Sequence, residues 1–291
     1  MSTGRFPFAV EAFKTGFLPG NREDASYQLT EEHTNVDLPS GFMDNQYEDP
    51  DLDRLLKRFH EIEPQITVVG DAYTWEQAAL YQEAIDELIE DYPHRRFIVT
   101  PKCEEAFDIL DPEKTIAGYP NGNSPIQGED IGTALYRGWD THILGGNPHE
   151  AYEAIQKLTQ PTIDRRPPAN VAGYDCNLPL RMAHWEYWTP EGWQDNGHLT
   201  PRETARRSYQ EIKAFLQKKD VWPETEPVDL YGEPTEEPDE LIWMDDGGDP
   251  IGTIEELEKA YVGQYEERGK MAFRSESQKK FIEYREDLSK V

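Results

Sequence analysis

Asp175 closes a short apolar run, Asn170-Val-Ala-Gly-Tyr-Asp175, and is followed by Cys-Asn-Leu-Pro-Leu-Arg181. A carboxylate at a strand end with an arginine nearby can be an ion pair or a helix cap. It can equally be a nucleophile, kept ionised by positive charge or hydrogen bonds and attacking an electrophilic carbon. Four further runs stop as abruptly: Ile66-Thr-Val-Val-Gly-Asp71, Phe97-Ile-Val-Thr-Pro-Lys102, Ile116-Ala-Gly118-Tyr119-Pro and His142-Ile-Leu-Gly145-Gly146-Asn-Pro. Their ends offer a second aspartate, a lysine and two glycine turns. Asp71 can alternatively cap a helix beginning near Trp75, and Lys102 can be an ordinary surface lysine. Gly118, Gly145 and Gly146 would let backbone amides approach a ligand closely, although a tight turn alone also calls for glycine.

Such residues need elements that bring them together. Runs this short, rich in β-branched residues and separated by helical stretches, read as buried parallel strands. In (β/α) barrels the active site gathers at the C-terminal ends of the strands. The intervening helices are expected at Asp51–Ile62, Trp75–Ile89, Glu104–Leu110, Pro148–Leu158 and Thr200–Lys218. Strand and helix alternate through the middle of the chain, which predicts a parallel α/β sheet. About seven strands can be counted, and His184–Trp188 is the candidate for an eighth that would close a (β/α)8, TIM-like barrel. An open doubly wound sheet is the alternative. The barrel is assigned to residues 1–222. Residues 223–250, dominated by proline, acid and glycine, read as an irregular acidic connection. Residues 251–291 read as a C-terminal helical extension that begins with Thr253 as N-cap.

The 291 residues carry a net charge of −29, with 58 acidic against 29 basic residues spread along the whole length. Disordered acidic tails concentrate their charge in blocks. A uniform excess on a chain with apolar cores fits a folded protein adapted to very high salt, where the Debye length falls to about 3 Å at 1 M. In such salt an acidic total does not exclude a nucleic-acid substrate, because repulsion and counterion release both shrink. Two cysteines, Cys103 and Cys176, without a CxxC pattern exclude a disulfide framework and a cysteine-built zinc site. The N-terminal residues lack a signal-peptide core and no stretch is apolar enough to span a membrane, so a cytoplasmic protein is expected.

The run Tyr174-Asp-Cys-Asn-Leu-Pro-Leu-Arg181-Met-Ala resembles the nucleophile motif of tRNA-guanine transglycosylases, approximately FDCVxPTRxAR. His142-Ile-Leu-Gly-Gly-Asn-Pro-His-Glu-Ala resembles that family's LMGVGTPEDL strand and turn, in the expected order and at a similar separation. Ala117-Gly118-Tyr-Pro is looser, resembling the GGLAVGE turn, and Phe97–Lys102 sits where the family has a strand ending in glutamine. The segment 184–194, with Trp188-Thr-Pro-Glu-Gly-Trp193, resembles the short strand after the nucleophile. The likeness covers roughly residues 35–195.

The resemblance implies base exchange at a nucleoside. Asp175 would attack C1′ of a guanosine and expel guanine, and a 7-deazaguanine base would then displace the aspartate with net retention, as in retaining glycosidases. It further implies that Asp71 reads the Watson–Crick edge of guanine, a task suited to a carboxylate accepting two N–H groups. Asp44, in Gly41-Phe-Met-Asp44-Asn, stands where the family has an acid–base aspartate in a DSGGF context, with Asp37 as a rival. Lys102 could offer a cation to base or phosphate, and Tyr73 and Tyr119 could sandwich a flat base. No cofactor and no metal is called for.

The family's zinc cluster, CxCxxC with a histidine, has no counterpart here. That departure puts tRNA in doubt and favours the DpdA-like branch of phages and archaeal viruses, which inserts 7-deazaguanines into DNA. A guanine in duplex DNA would have to leave the stack to reach Asp175. Arg165, Arg166, Arg181, Arg206 and Arg207 are candidate phosphate contacts. The partners expected are therefore DNA, or alternatively tRNA, and a free 7-deazaguanine such as preQ0 or preQ1. A partner protein or a second copy of the chain is also possible.

Overall fold

Seven short strands lie side by side in chain order, and every neighbouring pair is parallel. They are β1 (Gly20–Arg22), β2 (Phe42–Asp44), β3 (Ile66–Ala72), β4 (Arg96–Pro101), β5 (Thr115–Pro120), β6 (Asp140–Leu144) and β7 (Asn170–Tyr174). The computed structural model describes residues 6–23, 38, 41–46, 49–121, 131–162, 166–183, 185–197, 199–232, 242–244 and 250–253. These belong to two compact units, one drawn from residues 1–30 and 37–235, the other from 31–36 and 236–291.

The larger unit holds α1 (Phe6–Lys14), α2 (Leu52–Ile62), α3 (Trp75–Asp91), α4 (Ala106–Ile109), α5 (Pro148–Thr159), α6 (Leu178–Met182), α7 (Pro201–Lys218) and α8 (Pro227–Tyr231). The long helices start where local chemistry says they should. Asp51 and Thr74 accept from the backbone N–H groups of Arg54 and Gln77, and Asn147 and Thr200 form capping boxes with Glu150 and Glu203. Each such cap contributes about 1 kcal/mol. Because Thr74 caps α3, Asp71 is released from the capping role that its position allowed.

The two faces of the sheet differ. On one, Met43, Val69, Phe97, Val99, Ala117 and Ile143 pack against Phe59 of α2, Ile85 of α3 and Leu158 of α5 in one large core. Each side chain of this size contributes about 1.5–3 kcal/mol on burial, so this layer carries most of the apolar stabilisation. On the other face Phe42, Ile66, Val68, Ile98, Ile116, Leu144 and Ala172 form a second apolar cluster, strand to strand. The sheet curls around this second face like part of a barrel. The Phe42 ring stacks on His142 with centroids 5.5 Å apart and planes at 24°. Three strands separate β2 from β6 in the sheet order, so only a curled sheet brings these rings together.

Several expectations need correction. The segment proposed as an eighth barrel strand instead forms β8 (Glu186–Thr189), which pairs antiparallel with β9 (Gly192–Asp195) in a separate hairpin. The pairing follows from the turn at Pro190-Glu-Gly192, where Gly192 adopts φ +120°. The stretch read as irregular, 223–250, contains α8 and the strand β10 (Ile242–Met244). In the smaller unit β10 pairs antiparallel with β11 (Pro250–Thr253), so Ile251–Thr253 is strand rather than the start of a helix. The remainder of that expected helix, 254–291, lies outside the described residues.

Candidate active site

A parallel sheet places all its strand C-termini on one edge, and two β-bulges decide which side chains turn inward there. In β3 Val68 pairs with Ile98, but Gly70 rather than Val69 pairs with Val99. Val69 and Gly70 therefore both face the helices: Val69 joins the large core, and a Cβ on Gly70 would meet the Tyr81 ring of α3 at 2.6 Å. The extra residue returns Asp71 to the concave side, paired with Thr100. In β7 Val171 pairs with Thr141 and Gly173 with His142, so Ala172 is the extra residue. Tyr174 then packs outward and Asp175 points inward. Bulges are a common way to re-aim a side chain beside an active site.

Alternation places Asp44, Lys102 and Gly118 on the same inner edge. Asp71 accepts from the Tyr73 hydroxyl at 3.4 Å and lies 3.5 Å from Lys102 Nζ. The Lys102 side chain is only 5% exposed, so it is not a surface lysine. Its ammonium also stands 6.0 Å from the centre of the Tyr73 ring. Tyr73 is 37% exposed, and burial together with the Asp71 charge and hydrogen bond pushes its phenol up to about 12. It stays a neutral donor.

Asp175 Oδ1 accepts from the Gly145 backbone N–H at 3.1 Å. That amide is presented by a turn in which Gly145 and Gly146 both have positive φ, +71° and +90°, a region open to glycine. Asn121, at the end of β5, donates from its side chain to the Gly145 carbonyl at 3.3 Å and steadies the turn. His142 Nε2 lies 3.4 Å from the same Asp175 oxygen.

Asp44 completes the group. Its carboxyl is pushed up to about 7, first by burial and then by the negative charges of Asp175 and Asp71. A backbone hydrogen bond from Asn45 and the charge of Arg22, its register partner on β1, pull the other way without prevailing. Three carboxylates from β2, β3 and the end of β7 thus feel one another across the concave face. Near neutral pH Asp44 therefore passes between its protonated and charged forms. Among the described residues no group of three or more His, Cys, Asp or Glu side chains is arranged to hold a metal ion.

Other expected residues fall elsewhere. Tyr119 turns to the helix side and meets Tyr136 edge-on, at 5.3 Å and 78°, so it cannot sandwich a base with Tyr73. Gly118 is explained by packing: a Cβ there would meet Thr100 Oγ1 at 2.7 Å and Leu144 Cδ1 at 2.9 Å. Arg181 is exposed on α6, and its charge reaches Cys176. Arg206 is bound to Glu11 of α1, and Arg207 pairs with Glu211 at 2.8 Å on its own helix. The Arg166 carbonyl accepts from Arg137. Asp37 and Arg165 lie outside the described residues. Two residues escaped the sequence reading, His142 and Arg22. A histidine set in an apolar strand was a usable signal for the first; β1 is too short to have announced the second.

Residues 12–217 match a family of unknown function, DUF6610, over more than two-thirds of the chain. The chain belongs to that family. No curated protein matches the sequence. The DUF6610 region runs from within α1 almost to the end of α7, and so contains Asp44, Asp71, Lys102, His142 and Asp175 together.

Proposed function

We propose that this DUF6610 protein is a pentosyltransferase that exchanges guanine in DNA for a 7-deazaguanine base through a covalent Asp175 intermediate. The observation that carries the reading is the pairing of unlike carboxyls on one strand edge. Asp44 can both hold and release a proton near neutral pH, because burial and the charges of Asp175 and Asp71 raise it to about 7. Asp175, whose charge acts on Asp44, has one oxygen anchored by the Gly145 N–H. Retaining glycosyl transfer needs a carboxyl that can carry a proton to the leaving group and a second carboxylate to trap the sugar.

In this mechanism an Asp175 oxygen attacks C1′ as the C1′–N9 bond breaks, and Asp44 gives its proton to the departing guanine. The 7-deazaguanine then loses its N9 proton to the Asp44 carboxylate and attacks C1′ from the vacated side. Asp175 is released and the configuration is retained. Asp71, oriented by Tyr73 and Lys102, accepts from the N1–H and amino group of the base. Exposed Tyr73 offers a face for stacking. The seven parallel strands are read as the greater part of a (β/α)8 barrel, and the acidic composition as adaptation to a high-salt cytoplasm, as in a halophilic host of a virus.

The test supplies labelled 7-deazaguanine with DNA and with tRNA, in parallel and in molar salt. Base exchange into DNA is expected, and Asp175→Asn should lower it by about 10⁴-fold or more, as for other covalent nucleophiles. Exchange into tRNA alone would move the same chemistry to the other substrate. Nucleic-acid binding without exchange, unchanged in Asp175→Asn, would make the protein a binding module and end the enzymatic reading.

A further inference from the structure

His142 has no assigned role in the mechanism above, yet it sits at the centre of the site. Its side chain is 7% exposed, and Nε2 is buried without a hydrogen bond. An unpaired ring nitrogen in such a place is costly and calls for a partner. Asp175 Oδ1 is 3.4 Å away, a few tenths of an ångström beyond an ordinary hydrogen bond of about 2.9 Å.

The surroundings hold the ring in this place. Phe42 stacks on one face across the sheet. On the β7 side only glycine fits, since a Cβ on Gly173 would lie 2.9 Å from His142 Nδ1. Gly173 faces His142 because of the same bulge that turns Asp175 inward. The imidazole and the Gly145 N–H both address Oδ1 of Asp175, which sorts its two oxygens. One is held, and Oδ2 is left for an electrophile.

We propose that His142 is a positioning residue for Asp175, donating from Nε2–H to Oδ1 so that Oδ2 faces the reacting carbon. This rests on the transglycosylase reading for its kinetic consequence, but the pairing itself is testable without activity. The imidazole tautomer of His142, read by 15N NMR on the full chain, should be mainly Nε2–H in the wild type. In Asp175→Ala it should move toward Nδ1–H. An unchanged tautomer would overturn the pairing. Gly173→Ala, which crowds the ring without altering either partner, guards against misfolding of the first variant and should also disturb the Nε2–H signal.

In single-turnover exchange, His142→Phe keeps a ring to stack on Phe42 and removes the donor. It should lower kcat about 100-fold with KM little changed, the usual scale for about 1 Å of misplacement. His142→Gln, which keeps an N–H, should recover a substantial part of that loss. Equal rates in His142→Phe and wild type, or equal losses in both variants, would overturn the positioning role. A tautomer that follows Asp175 in a protein with no exchange activity would retain the pair and reject the transglycosylase.

Discussion

The surroundings of two acidic side chains, Glu11 and Asp44, treat them in opposite ways. Glu11 on α1 is 2% exposed and lies between Arg202 and Arg206 of α7, whose Nε atoms approach its oxygens at 2.6 and 2.5 Å. Burial pushes its carboxyl up, but the Arg206 hydrogen bond and both arginine charges outweigh burial and hold it below the ordinary value. Asp44 on β2 meets two more carboxylates instead, and is raised to about 7. The first acid is matched and fastens two helices. The second is mismatched, and a mismatch retained at the end of a strand points to chemistry rather than to stability.

The two regions should therefore respond oppositely when altered. Glu11→Ala leaves two cations facing an emptied site and should destabilise the protein by about 3 kcal/mol in urea titration, near the lower end for a broken buried pair because Arg206 is partly solvated. Loss of under 0.5 kcal/mol would remove the distinction. Asp44→Asn should do the reverse. The folded protein holds this carboxyl's proton more tightly than the unfolded chain does. Its charge therefore costs stability progressively as pH rises from about 4 to 7, and nothing below that window. At pH 8 the amide should stabilise by about 2 kcal/mol, and at pH 4 by almost none, while base exchange falls about 10²- to 10³-fold. Thermal melts at the two pH values read the first effect. Glu11 moves the other way: its contribution is present above its ordinary value and lost as pH falls below about 4. The smallest expected change is Gly118→Ala, which should cost about 1–2 kcal/mol by pushing on Thr100 and Leu144 without removing any polar group. A neutral melt would show that this part of the concave face is looser than its packing implies.

The strands β3 to β7 and the helices α2, α3, α5 and α7 were legible because each is a run with one clear apolar period and a recognisable start. β1 and β2 were not, since three residues carry no period. Asp71 and Asp175 could be picked out by type and position, but simple alternation along β3 would have put Asp71 on the same side as Val69, among the helices. Glycines inside both strands, Gly70 and Gly173, were the available hints of a bulge. Whether Lys102 was a substrate cation or an ordinary surface lysine could not be read from sequence, because its burial depends on Asp71 and Tyr73 at the end of the neighbouring strand. The hairpin at Trp188–Trp193 was visible as a strand, but the partner it would choose was not.

The two bulges bear on how relatives of this chain should be compared. Each accommodates one residue beyond what the ladder needs, so a homologue lacking Val69 or Ala172 would still present its terminal carboxylate on the concave side. Single-codon gaps at those points are then silent for the chemistry. Alignments anchored on the carboxyl-terminal edge of each strand will find equivalent acids that alignments anchored on the strand's first residue would miss.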